Sequence, residues 1–163
     1  MDNISPKKIV YIEEFDKRDI EGNLLCRNIG CINHPELPYR RYCSKKCNRE
    51  FRRWYYNNFY WDNVRLKIFK RDKYTCQICK IDYSCRRRKW FNRHRNLECD
   101  HIVPKSLFEQ RGYKFDTLEN KVKATIEFFH NPSNLRTLCY HCHRRVTTGY
   151  LRAKHDLTKQ NNF

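Results

Sequence analysis

Apolar residues occur in short patches along this chain, separated by charged stretches. Ile9-Val10-Tyr11-Ile12 is an unbroken apolar run that predicts a short strand. Glu13 to Glu21 is charged, and Gly22-Asn23 marks a turn. Pro35 and Pro38 predict a loop. Ser44 suits a helix N-cap, and Phe51, Trp54 and Tyr55 then recur at helical spacing to about Asn58. Those rings are expected to pack inward, leaving Arg49, Arg52 and Arg53 on the other face. Asn57-Asn58 predicts a break. A second helix is expected over 61–71, with Trp61, Val64, Leu66, Ile68 and Phe69 mostly facing a core.

Further on, residues 80–97 are strongly basic and include Trp90 and Phe91. Asp100 falls in a predicted strand with Cys99, a small buried residue by expectation. Leu107-Phe108, Tyr113 and Phe115 point to packed structure in the connection 105–133. Leu118, Val122, Ile126 and Phe129 predict a helix there. A last helix with a basic face is expected from His143 to Leu151, and the polar tail from Lys154 is expected to fray. This gives an N-terminal arm over 1–25, a small module with its helix over 26–60, and a main domain over 61–163.

Charge changes the picture. Lys and Arg number 35 against 18 Asp and Glu, a formal net charge of +17. An excess of this size calls for a polyanionic partner, most simply nucleic acid. Met1 to Lys8 lacks the apolar core of a signal peptide, and no apolar run reaches membrane-spanning length. An intracellular setting is therefore expected, in cytoplasm or nucleoid, with no membrane partner.

There are ten cysteines. In a reducing compartment paired cysteines bind metal more often than they form disulfides. Eight fall in short-spaced pairs, Cys26-x4-Cys31 with Cys43-x3-Cys47, and Cys76-x2-Cys79 with Cys139-x2-Cys142. Four thiolates close a tetrahedral zinc site with no open position, so two structural zinc ions are expected. His34 lies at a workable spacing from Cys31 and is read as a loop residue. His141 is read as a surface residue of the knuckle, and His130 and His155 have no partner motif.

One phrase carries more specific chemistry. Asp100-His101-Ile102-Val103-Pro104 is answered by Asn134-Leu135-Arg136-Thr137-Leu138-Cys139-Tyr140-His141-Cys142-His143. Asp-His followed by Asn-x8-His resembles the HNH endonuclease motif. Arg71-Asp72-x-Tyr74-x-Cys76-x2-Cys79 resembles the entrance to zinc-bearing members, and Tyr42-Cys43-Ser44-x-x-Cys47 resembles small zinc modules in front of some of them. The resemblance covers about residues 61–152. It implies a small α+β fold, a ββα-metal (His-Me) finger stabilised by a four-cysteine zinc knuckle and preceded by a small zinc module and helices. It implies a phosphodiester hydrolase acting on DNA as endonuclease or nickase, of the kind that phages and mobile elements encode.

Residue by residue, the resemblance makes His101 the general base and Asn134 the residue that orients it and ties down the loop. Asp100 and His143 become ligands of a catalytic divalent ion. Adjacent strand residues face opposite ways, so Asp100 and His101 require a twist, a bulge, or one side chain reaching round. Some members carry a further histidine four residues after the last; here that position is Thr147. Two protein ligands suit Mg²⁺ or Mn²⁺, which keep several waters. Arg86, Arg87, Arg88, Lys89, Arg144 and Arg145 are the expected DNA contacts. The competing readings are a non-cleaving zinc-finger nucleic-acid-binding protein and, with less support, an RNA-binding or ribosome-associated basic protein.

Overall fold

The computed structural model describes residues 10–84 and 96–160, with side chains as far as Ala153. Ile9, Cys85, the basic residues Arg86, Arg87, Arg88 and Lys89, and Trp90, Phe91 and His94 lie outside the described residues. The fold is small and α+β, with two two-stranded antiparallel sheets. In chain order the elements are β1 (Lys17–Arg18), β2 (Leu24–Leu25), α1 (Lys45–Phe59), α2 (Trp61–Arg71), β3 (Leu97–His101), α3 (Leu118–Ala124), β4 (Leu135–Cys139) and α4 (Tyr140–Gln160). They form two compact units, Met1–Val64 with Pro104–Asn131, and Arg65–Val103 with Pro132–Phe163.

The first unit is held by aromatic burial. Ser44 caps α1, its hydroxyl accepting from the Cys47 amide at 3.2 Å. Phe51, Tyr55 and Phe59, four residues apart, fall on one face and are buried with Val10, Phe15, Cys26 and Tyr42. Phe15 meets the rings of Phe51 and Trp54 edge-on, each at 5.4 Å. Full burial of a ring such as Phe51 stabilises by about 1.5–3 kcal/mol, so this cluster outweighs the exposed polar pairs around it. The predicted inward packing of these aromatics is observed, and Arg49, Arg52 and Arg53 are exposed.

Four local expectations change. Val10 to Ile12 is not a strand; Ile12–Phe15 is a 3-10 turn, because Val10 is buried and its carbonyl accepts from the Tyr55 hydroxyl at 2.9 Å. α1 does not break at Asn57-Asn58. It continues to Phe59, whose ring belongs to the core, and Asn58 turns its amide back onto the Trp54 carbonyl. The expected helix over 118–129 is α-helical to Ala124 and π-helical over Thr125–Phe129. That change of pitch accompanies burial of both Phe128 and Phe129. His130 has a partner after all: its Nδ1 meets the Asn58 carbonyl, its ring packs on Trp61, and burial pushes its pKa down.

The second unit is a β3–β4 ladder followed at once by α4. Pairing runs without a skipped residue from Leu97↔Cys139 to His101↔Leu135. α4 starts at Tyr140, before the expected start at His143, and extends to Gln160 where fraying was expected from Lys154. Leu138 is fully buried against Cys76, Cys139 and Cys142, and Val146 of α4 packs on that cluster. The C-terminus of α2 anchors the ladder. Arg71 donates to the carbonyls of Pro132 and Leu135, and to both oxygens of Asp72. Asp72 also accepts the Thr137 amide at 2.9 Å.

Burial alone would raise the Asp72 pKa, but hydrogen bonds from Arg71 and Thr137 outweigh it and hold the carboxyl below its ordinary value. A depressed carboxylate contributes stability above its unfolded pKa of about 3.9 and loses it as pH falls through the lower folded value. Asp72→Asn should therefore destabilise the zinc-loaded protein by about 1.5 kcal/mol in urea unfolding, by the same amount throughout pH 6–8. A gap that changes across that range would place the titration of Asp72 near neutrality and reject the assignment.

Candidate functional site

Two cysteine clusters stand out first. In the first unit, Cys26, Cys31, Cys43 and Cys47 bring their sulfurs within 4.8 Å of one another, and in the second Cys76, Cys79, Cys139 and Cys142 do the same. Sulfur–sulfur separations are 3.7 Å for Cys31–Cys43, 3.6 Å for Cys43–Cys47 and 3.8 Å for Cys79–Cys139. Sulfurs about 2.3 Å from a tetrahedral zinc lie about 3.8 Å apart, whereas a disulfide needs about 2.05 Å. Both clusters could hold zinc, and all eight thiols are free. His34 stays outside the first cluster, its Nδ1 at 3.0 Å from the Leu24 carbonyl.

Local chemistry builds each cluster. In the second, the Cys76–Cys79 turn is closed by Lys80 donating to the Cys76 carbonyl, with Lys80 itself at φ +60°. The Cys142 amide points at the Cys139 sulfur at 3.5 Å, because α4 begins directly after β4. Burial would raise the Cys76 thiol, but the amides of Cys139, Cys79 and Ile78 bring it down to about 6. Burial and hydrogen bonding to Cys139 push Cys142 up to about 12. In the first cluster an Asn28 side-chain contact brings Cys47 down to about 7, while burial and neighbouring thiols push Cys43 up to about 12. Four sulfurs this close cannot all be anionic alone; a dication removes the conflict and displaces the remaining protons.

The Asp-His and Asn-His phrases meet beside the second cluster. Asp100 is buried, 8% exposed. Its Oδ1 lies 3.7 Å from His143 Nε2, and its Oδ2 accepts from Arg136 Nε at 2.9 Å and a second guanidinium nitrogen at 2.8 Å. Cross-strand register explains the second contact, since Asp100 and Arg136 are direct partners in the ladder. His143 reaches Asp100 from the first turn of α4, one residue after Cys142. Asn134 accepts the Ile102 amide on its carbonyl at 2.9 Å and the Val103 amide on its side chain at 2.8 Å. It thus clamps the turn that follows His101.

His101 is half-buried at the last pair of β3. The ladder has no bulge there, so alternation leaves it on the face opposite Asp100. Two features went unread in the sequence. Arg136 was given no role, and the Arg71–Asp72 clamp was read as a motif entrance rather than as the anchor of β4. The signal for Arg136 is its even spacing before Leu138 on the strand facing Asp100, visible once register is known. Cys99, expected to be buried, is half-buried on β3, and desolvation pushes its thiol up to about 12. Arg144 and Arg145 are exposed on α4. Among the described residues no helix is long and apolar enough to cross a membrane.

No known family model, curated protein or solved structure matches this chain.

The cysteine geometry sets an expectation of two zinc ions per chain, one in each cluster. Elemental analysis of freshly purified protein should return that ratio, and Cys139→Ser should lower it by about one zinc together with the melting temperature. Thiols that are protonated at neutral pH without metal must release protons on binding. Zinc affinity should therefore rise with pH between 6 and 8, and a pH-independent affinity would reject thiolate ligation.

Proposed function

We propose that the chain is a metal-dependent DNA endonuclease or nickase of the HNH type, with β3, β4 and the start of α4 serving as a ββα-metal finger. The observation that carries this reading is the approach of Asp100 Oδ1 to His143 Nε2. A carboxylate oxygen and an imidazole nitrogen facing each other at 3.7 Å form a donor pair suited to Mg²⁺ or Mn²⁺, with remaining positions left for water and phosphate. When bound, such an ion supplies positive charge against the phosphate being cleaved.

The chain's own groups have separate tasks. Arg136 holds Asp100 Oδ2 and thereby turns Oδ1 toward His143. Asn134 fixes the backbone immediately after His101. His101, at the end of the ladder, is the base: an imidazole titrates near neutrality and can take a proton from water, directly or through one intervening water. Its side chain has to reach round the strand end. The exposed Arg144 and Arg145, with the basic stretch Arg86 to Lys89, are the proposed contacts to DNA.

One observation favours the alternative, a zinc-finger nucleic-acid-binding protein that does not cut. Asp100 already has a buried ion pair with Arg136, which is what a purely structural carboxylate would have. Plasmid nicking separates the two. With Mg²⁺ or Mn²⁺ the wild type should nick, and His101→Ala should lose about 10²–10⁴-fold while keeping zinc and DNA affinity. Asp100→Ala and His143→Ala should be inactive through weak metal occupancy and should recover in part at high metal, unlike His101→Ala. A wild type that binds DNA and never cuts with any divalent ion would establish the non-cleaving reading.

A further inference from the structure

Glycine is the poorest helix former after proline, yet Gly149 sits near the middle of the 21-residue helix α4. The fold does not require it. Its backbone is not left-handed, and a Cβ added there would meet no atom of the described residues within 4 Å. Neither a turn nor tight packing accounts for the missing side chain.

Its neighbours on the helix supply a reason. His141, Arg144, Arg145, Thr148, Gly149 and Arg152 share one face by helical spacing, and all are exposed. Among the described residues they line a depression of about 470 Å³. Cys142 and Val146 project elsewhere, into the zinc cluster. From Tyr140 to Ala153 the helix contains no Asp or Glu, and the first carboxylate in its sequence is Asp156, four residues beyond Arg152. The face is therefore basic and open, with a residue that lacks a side chain among its arginines.

We propose that this face seats the sugar–phosphate backbone of a DNA duplex, with Gly149 as the floor that lets the backbone approach the helix. Glycine serves where a ligand must come close to main chain. Arg144, Arg145 and Arg152 present planar forks suited to phosphate oxygens, and Thr148 adds a hydroxyl donor. From Arg144 to Arg152 the helix advances about 12 Å, the axial reach of roughly three to four phosphates of one strand. The face starts next to His143, so a strand seated on it continues toward the Asp100–His143 pair; that last placement rests on the nuclease reading, and the seat itself does not.

Gly149→Leu tests the seat directly, because it fills the depression while replacing a poor helix former. Binding of a short duplex is measured in the His101→Ala background without added divalent ion, beside binding of polyglutamate. Gly149→Leu should keep zinc content and melt no lower than its parent, and should lose at least about tenfold in duplex affinity, whereas Gly149→Ala should bind nearly as the parent does. Arg145→Gln with Arg152→Gln should flatten the slope of log affinity against log salt by about two. Unchanged duplex affinity in Gly149→Leu, or an unchanged slope in the arginine pair, overturns the proposal. Tighter binding of polyglutamate than of duplex, lost in the same variants, overturns it in favour of an acidic protein partner. If the seat variants behave as expected and the wild type never nicks, the seat stands and the nuclease reading falls; if the wild type nicks and Gly149→Leu binds and nicks equally, the reverse holds.

Discussion

Closure of four cysteine sulfurs around one point ties the second unit together. Cys76 and Cys79 come from the turn after α2, and Cys139 and Cys142 from the β4–α4 junction, some sixty residues later in the chain. The sheet between them has two strands, too few to be stable on hydrogen bonds alone. Everything polar nearby inherits its position from that closure. Cys139 is the last residue of β4 and Cys142 precedes His143, so the direction in which His143 points is fixed by the same sulfurs. A unit of this size gains little from apolar burial; the Arg71–Asp72 clamp adds to it, and a metal held by the four sulfurs would supply the rest.

Asp100 illustrates how charge is managed inside that frame. A carboxylate this buried is costly unless both oxygens are occupied. Here the two oxygens have different neighbours, a guanidinium on one and an imidazole on the other. The ladder register that puts Arg136 opposite Asp100 also puts Leu135 opposite His101, so one strand pairing determines both the orientation of the acid and the surroundings of the histidine. Asn134 acts just outside the ladder, where backbone amides of the turn would otherwise lack partners.

What could be read directly from the residues follows the range of the interactions involved. Both cysteine sets were legible because cysteines able to share one metal fall at short local spacing. α1 was legible because Phe51 and Tyr55 repeat with the helix period, and its end falls at Phe59, one residue beyond the expected Asn58, where burial of the Phe59 ring carries the helix on. The run at Val10 was misread because a short apolar stretch fits any buried conformation. The nearness of Asp100 to His143 came from a resemblance rather than from periodicity. Arg136 and the Asp72–Thr137 bond depend on pairing across more than thirty residues, and a one-dimensional pattern does not carry that register.

Both units are assembled from separated stretches of chain, and this bears on the order of synthesis. The cysteines of the first cluster are all present once Cys47 has been made, but Leu118, Val122 and Ile126, which pack on its aromatic core, arrive some seventy residues later. Cys76 and Cys79 must likewise wait for Cys139 and Cys142. On a ribosome working from the N-terminus, the aromatic face of α1 and two unpaired thiols of the second cluster are therefore exposed together while the intervening chain is made. Early zinc capture by Cys26, Cys31, Cys43 and Cys47 would give the nascent chain a folded anchor during that interval, and closure of the second unit becomes a later event that waits for Cys139 and Cys142.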